Sequence, residues 1–102
     1  MTNAELRNIA ITIKQQIGFP SWAASGARKA MILPADECLG GIRFTTGTGH
    51  KAIEIRLDYN DTYSVKYLSK RTEKVIHEAE GIYCDQLSLL VYEMTHGLFQ
   101  NA

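Results

Sequence analysis

The sequence lacks an excess of charge of either sign. Eleven Lys and Arg residues balance eleven Asp and Glu residues among 102 in total. A protein that holds duplex nucleic acid through its phosphates usually carries a basic excess, because phosphate neutralisation supplies most of the sequence-independent affinity. The balance therefore disfavours nucleic acid as the main partner, and only a local patch of cations could favour it.

Long apolar runs are also absent. The longest, residues 87–92, is far shorter than the roughly 20 residues that a helix needs to cross a bilayer. Residues 1–5 lack the basic leader of a signal peptide, and an amphipathic pattern follows them. We therefore expect a cytoplasmic protein that makes no contact with a membrane.

Cysteine and histidine are scarce. Neither Cys38 nor Cys84 has a Cys or His neighbour at zinc-ligand spacing, and no ligand set surrounds His50, His77 or His96. No GxSxG elbow occurs, and neither cysteine lies beside a base in the sequence. The sequence thus predicts no metal, no cofactor and no catalytic centre, with the histidines at the surface or capping a helix. We expect two free, buried thiols, although a disulfide between them stays open.

Size and composition predict one domain, residues 1–102. Hydrophobic residues make up 45% of the chain and charged residues 22%, which are ordinary values for a globular protein. A chain of 102 residues can form one modest core but not two. We therefore expect a folded protein with a single core.

Alternating apolar and polar residues predict a β-hairpin in the middle of the chain. An odd-numbered loop is needed to keep the apolar residues of both strands on one face. A loop over residues 58–62 places Glu54 opposite Lys66, whereas a three-residue loop would place Arg56 there, and opposite charges across strands are stabilising. We therefore predict the five-residue loop, with its tyrosines in the core rather than stacked on bases. The apolar set is Ile53, Ile55, Leu57, Tyr59, Tyr63, Val65 and Tyr67.

Further strands are predicted on both sides of this hairpin. Residues 30–33 and 42–45 have the pattern of short strands, and residues 73–79 have a weaker one. Gly40-Gly41 predicts a turn. Residues 45–51 contain glycines but lack the spacing of a phosphate-binding loop, so we expect an ordinary strand connection there. The order of the strands in the sheet stays open.

Helical periodicity occurs at both ends of the chain. A capping box formed by Thr2 and Glu5 precedes an apolar stripe that predicts a helix over Asn3–Ile17, and residues 19–26 predict a short helical turn carrying Trp22. A second stripe predicts the last helix, with Asp85 in its first turn. The expected fold is α+β: an N-terminal helix, a small antiparallel sheet of about four to five strands and a C-terminal helix, with both helices packed on one sheet face. The second stripe consists of Tyr83, Leu87, Leu90, Val91, Met94 and Leu98.

Six cations are the candidate contact residues. Four of them follow one another closely between residues 66 and 74, a fifth would join them on the polar sheet face, and the sixth lies near the start of the sheet. Such a patch could contact phosphate or an acidic protein surface, although interleaved acids favour a simple solvated face. The six are Arg28, Arg56, Lys66, Lys70, Arg71 and Lys74.

Several segments resemble small uncharacterised proteins of tailed bacteriophages. The resemblance is carried by residues 40–44 and 53–65, by Gly81-Ile82-Tyr83-Cys84-Asp85-Gln86-Leu87, and by Thr95-His96-Gly97-Leu98. It implies a non-enzymatic binding protein that acts through protein–protein interaction, directed at a bacterial host or defence factor or forming a homodimer, by its polar sheet face or an edge strand. The alternatives are a nucleic-acid-associated phage accessory factor that uses the basic patch, and a structural protein without a specific ligand.

Overall fold

The structure, a computed structural model, describes residues 2–36, 38–47 and 49–96. It consists of two terminal helices around a five-stranded antiparallel sheet, which confirms the α+β prediction. The elements in chain order are α1 (Asn3–Ile17), α2 (Phe19–Ala24), β1 (Arg28–Leu33), β2 (Gly40–Thr46), β3 (Lys51–Leu57), β4 (Tyr63–Ser69), β5 (Val75–Ile82), a 3-10 turn (Cys84–Gln86) and α3 (Leu87–Thr95).

The sheet is a meander in which every strand pairs with its neighbours in the chain. Its order is β1-β2-β3-β4-β5, and all four pairings are antiparallel. Short connections favour this arrangement, because consecutive elements then become neighbours in space. As a result, β1 and β5 are the edge strands, and the connections between strands lie at the two ends of the sheet.

The central hairpin has the predicted loop and register. Glu54 lies opposite Lys66 and Ile55 lies opposite Val65. The loop over residues 58–62 is closed by the Asp58 N–H, which donates to the Thr62 carbonyl at 2.8 Å. The five-residue loop is therefore confirmed, together with the apolar parity that required it.

Both terminal helices cover the same sheet face. Ile13 and Ile17 of α1 and Val91 of α3 are fully buried and belong to one cluster with alternate residues of β2, β3 and β4. The aromatic ring of Trp22 packs against Phe44 with centroids 4.6 Å apart. This single layer confirms the predicted packing. Its sheet members are Ile42, Phe44, Ile53, Ile55, Tyr63, Val65 and Tyr67.

The ends of α1 follow the local sequence. The Thr2 hydroxyl accepts the Glu5 N–H at 3.2 Å and also contacts the Glu5 carboxylate, so one half of the predicted capping box is present. Gly18, at φ 82°, ends the helix, and its N–H donates to the Lys14 carbonyl at 3.1 Å.

No helix within the described residues is long and apolar enough to cross a membrane.

Two tyrosines lie outside the predicted core. Tyr63 and Tyr67 are buried as expected, but Tyr59 is 70% exposed because β3 ends at Leu57 and strand parity no longer applies. Tyr83 is 62% exposed because the chain makes a 3-10 turn before α3 begins. Both core assignments were wrong. Leu98, the last member of the predicted stripe, lies outside the described residues.

Three smaller expectations also differ from the structure. Gly40 and Gly41 are the first residues of β2 and do not form a turn. The weak last strand is Val75–Ile82, shifted towards the C-terminus from the predicted residues 73–79. Both thiols are free, but only Cys38 is buried, and Cys84 is exposed.

Candidate functional site

The polar sheet face is occupied by a network of ion pairs. Arg43 on β2 contacts Glu54 on β3 at 2.8 Å, and Arg56 contacts the same carboxylate at 3.2 Å. Glu73, from the turn between β4 and β5, reaches over the face and binds Arg43 through two hydrogen bonds of 2.8 and 3.1 Å. These charges therefore neutralise one another within the protein.

The ionisation of this network follows from its contacts. The hydrogen bonds from Arg43 hold the pKa of Glu73 below its usual value, and the same bonds raise the pKa of Arg43 despite partial burial. Burial lowers the pKa of Arg56, but hydrogen bonds to Cys38 and Glu54 outweigh this and leave it raised. The charges of Glu73, Arg43 and Arg56 are thus retained near neutral pH.

Lys66 lies on the same face but is also surrounded by acids. The register places it between Glu54 on β3 and Glu78 on β5. A shallow pocket of about 300 Å³ nearby is lined by Arg56 and Lys66 together with Asp58 and two further acids. The polar face therefore offers no excess of positive charge to a phosphate.

The other predicted cations lie at one end of the sheet. In an antiparallel meander, the turn between β2 and β3 and the turn between β4 and β5 fall at the same end, where β1 also begins. The two turns touch, because the Lys70 N–H donates to the His50 carbonyl at 2.9 Å. We call this end the basic end; its cations are Arg28, Lys29, Lys51, Lys70, Arg71 and Lys74.

The opposite end of the sheet is acidic. It contains the loop after β1, the loop over residues 58–62, the end of β5 and the 3-10 turn. The acids there are Asp36, Asp58, Asp61, Glu80 and Asp85. A chain with zero net charge thus has opposite charges at opposite ends of its sheet.

A cleft of about 470 Å³ adjoins the basic end. Its lining includes Ser25, Gly47, His50, Lys51 and Tyr67. The N–H of Gly47 donates to the Ser25 carbonyl at 3.1 Å, and the N–H of Gly49 donates to the Thr46 carbonyl at 2.9 Å. Both glycine amides are therefore used inside the protein, and this segment is the strand connection that the sequence predicts.

A second surface is apolar and lies beside α1. Two adjoining clefts of about 460 and 160 Å³ share Ile11 and Lys14 in their linings. Phe19 is 80% exposed and Met31 is 57% exposed, which is unusual for such large apolar side chains. We call this surface the apolar groove; its apolar members are Ile11, Phe19, Trp22, Ala30, Met31 and Ile32.

The six predicted contact residues thus divide into two groups. Arg56 and Lys66 lie on the polar face among acids, whereas the others lie at the basic end. Lys51 was missed as a candidate, although its pairing with Ser69 follows from the predicted register and places it beside the second turn. The apolar groove was missed too, and its one sequence signal is Ile11, which lies off the buried stripe of α1. The group at the basic end is Arg28, Lys70, Arg71 and Lys74.

Histidines and acids form no metal cluster in the part of the chain that the structure describes, where no three His, Cys, Asp or Glu side chains could hold an ion. The ring of His96 lies at the end of α3, with Nδ1 2.9 Å from the Tyr92 carbonyl. It also stacks on the Tyr92 ring at 4.0 Å. This is the helix-capping position expected from the sequence.

Comparison with known proteins gives no relative from which a function could be transferred. A scan against protein-family models, a search of curated proteins and a search of solved structures each gave no match. The resemblance to phage proteins therefore stays a prediction, and functional inference depends on the surfaces described above.

Proposed function

We propose that the protein is a non-enzymatic binding protein that holds a segment of another protein in the apolar groove. The observation that carries this proposal is the exposure of Phe19, Met31, Ile11 and Ile32, at 80%, 57%, 46% and 47%. Contiguous apolar surface of this kind is costly in water and usually marks a site of protein interaction. The clefts beside Ile11 give an incoming side chain a place to bind.

The charges around the groove define the chemistry of the partner. Arg7 and Lys14 line it, and no acidic side chain is among its described lining residues. The Lys14 ammonium lies 4.9 Å from the centre of the Trp22 ring, so a cation and an aromatic surface lie side by side. An apolar segment flanked by Asp or Glu would match this surface in both hydrophobicity and charge.

The groove suits a partner better than the polar face or the edge strand β1. The charges of the polar face are already paired, as the contacts of Arg43 and Glu54 illustrate. The edge strand β1 can offer only a short stretch for strand addition, because Lys29 has a positive φ of 53° in an irregular pairing and Pro34 follows the strand. Side-chain docking in the groove avoids both limits.

A bacterial host protein in the cytoplasm is the partner that we propose, in keeping with the sequence resemblance. A second copy of the chain is the other occupant to consider. A two-fold contact through the groove would bring Arg7 and Lys14 of both copies together, and like charges oppose such a contact. We therefore propose a monomer that binds a different protein, and sedimentation equilibrium at micromolar concentration tests this directly.

The experiment compares binding of a purified partner by matched variants. A partner captured from bacterial lysate is purified and titrated against the chain, with emission from Trp22, the one tryptophan in the sequence, as the signal. Phe19→Ser combined with Ile11→Ser should weaken binding at least tenfold, because burying each side chain is worth about 1.5–3 kcal/mol.

Leu89→Ser is the matched control, since Leu89 is an apolar residue of α3 that is 63% exposed and does not line the groove. It should leave the affinity unchanged. An equal loss of affinity in both variants, or a captured partner whose binding does not alter Trp22 emission, would rule out the groove as the binding site.

A further inference from the structure

We infer that the basic end of the sheet is a second binding site, which holds the phosphate backbone of a nucleic acid. It involves different residues from the apolar groove and does not depend on the partner proposed for that groove. The sequence predicted a basic patch around residues 66–74, but the meander draws a different set of cations together. The strands between them bring Arg28, near the start of the sheet, to the same end as Lys74.

The cations are spread across the width of the sheet. Arg28 begins β1, Lys51 begins β3 and Lys74 directly precedes β5. Four strand spacings of about 4.8 Å give a row of about 19 Å. Each strand of a duplex carries one phosphate per about 3.4 Å of helix axis, so a row of this length can meet several phosphates.

The positive charge at this end is not cancelled by neighbouring acids. Glu73 is the one acidic residue in the two turns of this end, residues 47–50 and 70–74. Its carboxylate is held by Arg43 on the polar face. None of the ion pairs found within residues 2–36, 38–47 and 49–96 includes a cation of the basic end. These cations therefore attract an external anion.

Side chains, not backbone amides, would make the contacts. The amides of Gly47 and Gly49 already donate to Ser25 and Thr46, so the glycine turn is not an anion nest. Five of the six cations of the basic end are exposed, and Lys51 is half-buried. Four are lysines, a residue type that is depleted in protein interfaces but common in phosphate contacts, which favours nucleic acid over an acidic protein.

The site should bind without regard to base sequence. The Lys51 ammonium lies 5.6 Å from the ring centre of Tyr67, and this ring is only 4% exposed. A buried ring cannot stack on a base, and stacking is the usual way to hold unpaired bases. Binding should therefore depend strongly on salt and little on sequence.

The test measures the affinity of the full chain for a fluorescein-labelled 20-base-pair DNA duplex, by anisotropy, between 50 and 200 mM NaCl. Wild type should bind with a steep dependence on salt. Lys70→Ala with Arg71→Ala should weaken binding at least fivefold at 50 mM. Because two phosphate contacts would be lost, the slope of log K against log salt should become shallower by about 1.8.

Arg56→Ala with Lys66→Ala is the control, since it removes the same charge from the polar sheet face, where both side chains lie among acids. It should leave both affinity and slope unchanged. Three results would overturn the inference: no binding at 50 mM NaCl, equal losses in the two double variants, or tighter binding of polyglutamate with the same number of charges. The last result would identify an acidic protein as the ligand.

Discussion

At the scale of single residues, Gly41 determines how closely β2 approaches β3. It lies opposite Arg56 in the register. A Cβ atom at this position would overlap the carbonyl oxygen of Ile55 and lie 3.0 Å from the Cα of Arg56. Both obstacles are backbone atoms, so the strands would have to separate to admit a side chain. Arg43 and Glu54 form their ion pair across the same two strands.

Gly41→Ala should therefore destabilise the protein more than an alanine at an open position. We expect a loss of about 2–3 kcal/mol in the free energy of unfolding, since overpacking against backbone is not easily relieved. Gly81→Ala is the control, because Gly81 has φ +66° and a Cβ atom added there would have nothing within 4 Å. Strain alone should cost it about 1 kcal/mol. Urea denaturation measures both, and equal losses would contradict the close approach.

Single residues also explain where prediction from the sequence was wrong. Tyr59 and Tyr83 fit an apolar period, but each lies just beyond the element whose period it fits. Periodicity predicts the facing of a side chain only while the backbone keeps regular geometry. Tyr63 and Tyr67 are inside β4, and their burial could be predicted for that reason.

At the scale of elements, one ion pair ties the turn between β4 and β5 to the polar face. Glu73 has a positive φ of 57°, and its carboxylate reaches Arg43. Arg43 is on β2, which lies two strands from β4 in the sheet. Most of β5 is exposed, so this contact adds to the restraint given by strand pairing and by the packing of Ile82 against the core. Sequence alone could not predict this pair, because it depends on the order of the strands.

Glu73→Gln should therefore increase the mobility of β5 at neutral pH. The pKa of Glu73 is lowered in the folded protein, so its contribution is present above the unfolded value of about 4.3 and is lost as the pH falls through the lower, folded value. Amide hydrogen exchange of Val75 and Ile76 should be faster in the variant at pH 7. After correction for intrinsic rates, the difference should vanish only when the pH falls below the lowered pKa of Glu73 and the wild-type carboxylate becomes protonated.

Lys74→Gln serves as the control for this effect, because it changes a charge in the same turn without touching Arg43. Its exchange rates in β5 should match those of wild type. A difference between Glu73→Gln and wild type that persisted unchanged into acid would show that the Gln side chain disturbs the turn itself and that the ion pair is not the restraint.

The elements themselves were largely predictable. The parity of Ile55 and Val65 with the opposite charges of Glu54 and Lys66 predicts both the loop length and the register that the structure has. Gly40 and Gly41 were less predictable, since a glycine pair is typical of turns and its place in a strand depends on the approach of β3. The start of α3 was misplaced because a 3-10 turn continues a helical pattern without a full helix.

At the scale of the whole molecule, the separation of charge is a product of topology. Each antiparallel strand reverses direction, so every second connection falls at the same end of the sheet. Counted along the chain, the second and fourth connections between strands are the basic turns, and the first and third are the acidic loops. The net charge of the chain is zero, so its composition alone does not indicate that the charges are separated between the two ends of the sheet. The basic end could therefore be predicted only once the strand order was known.

One core shared by both terminal helices and the sheet should make the molecule unfold as a unit. Met94 in α3 is 1% exposed and belongs to the same cluster as Ile13 of α1. Met94→Ala should lower the free energy of unfolding by about 2–5 kcal/mol, whereas Leu89→Ala on the exposed side of α3 should change it by less than about 0.5 kcal/mol. The two substitutions thus separate the loss of packing from any effect on the helix alone.

The shared core also predicts that different probes will report one transition. Emission from Trp22 reports on the contact of α2 with Phe44, while far-ultraviolet circular dichroism reports mainly on the helices and the sheet together. In urea, both signals should change at the same midpoint, and Met94→Ala should shift both to the same extent, because its cavity weakens the layer to which all these elements belong. If Met94→Ala shifted the urea midpoint of the dichroism but not that of Trp22 emission, α2 would unfold independently of α3. That result would contradict a single cooperative core.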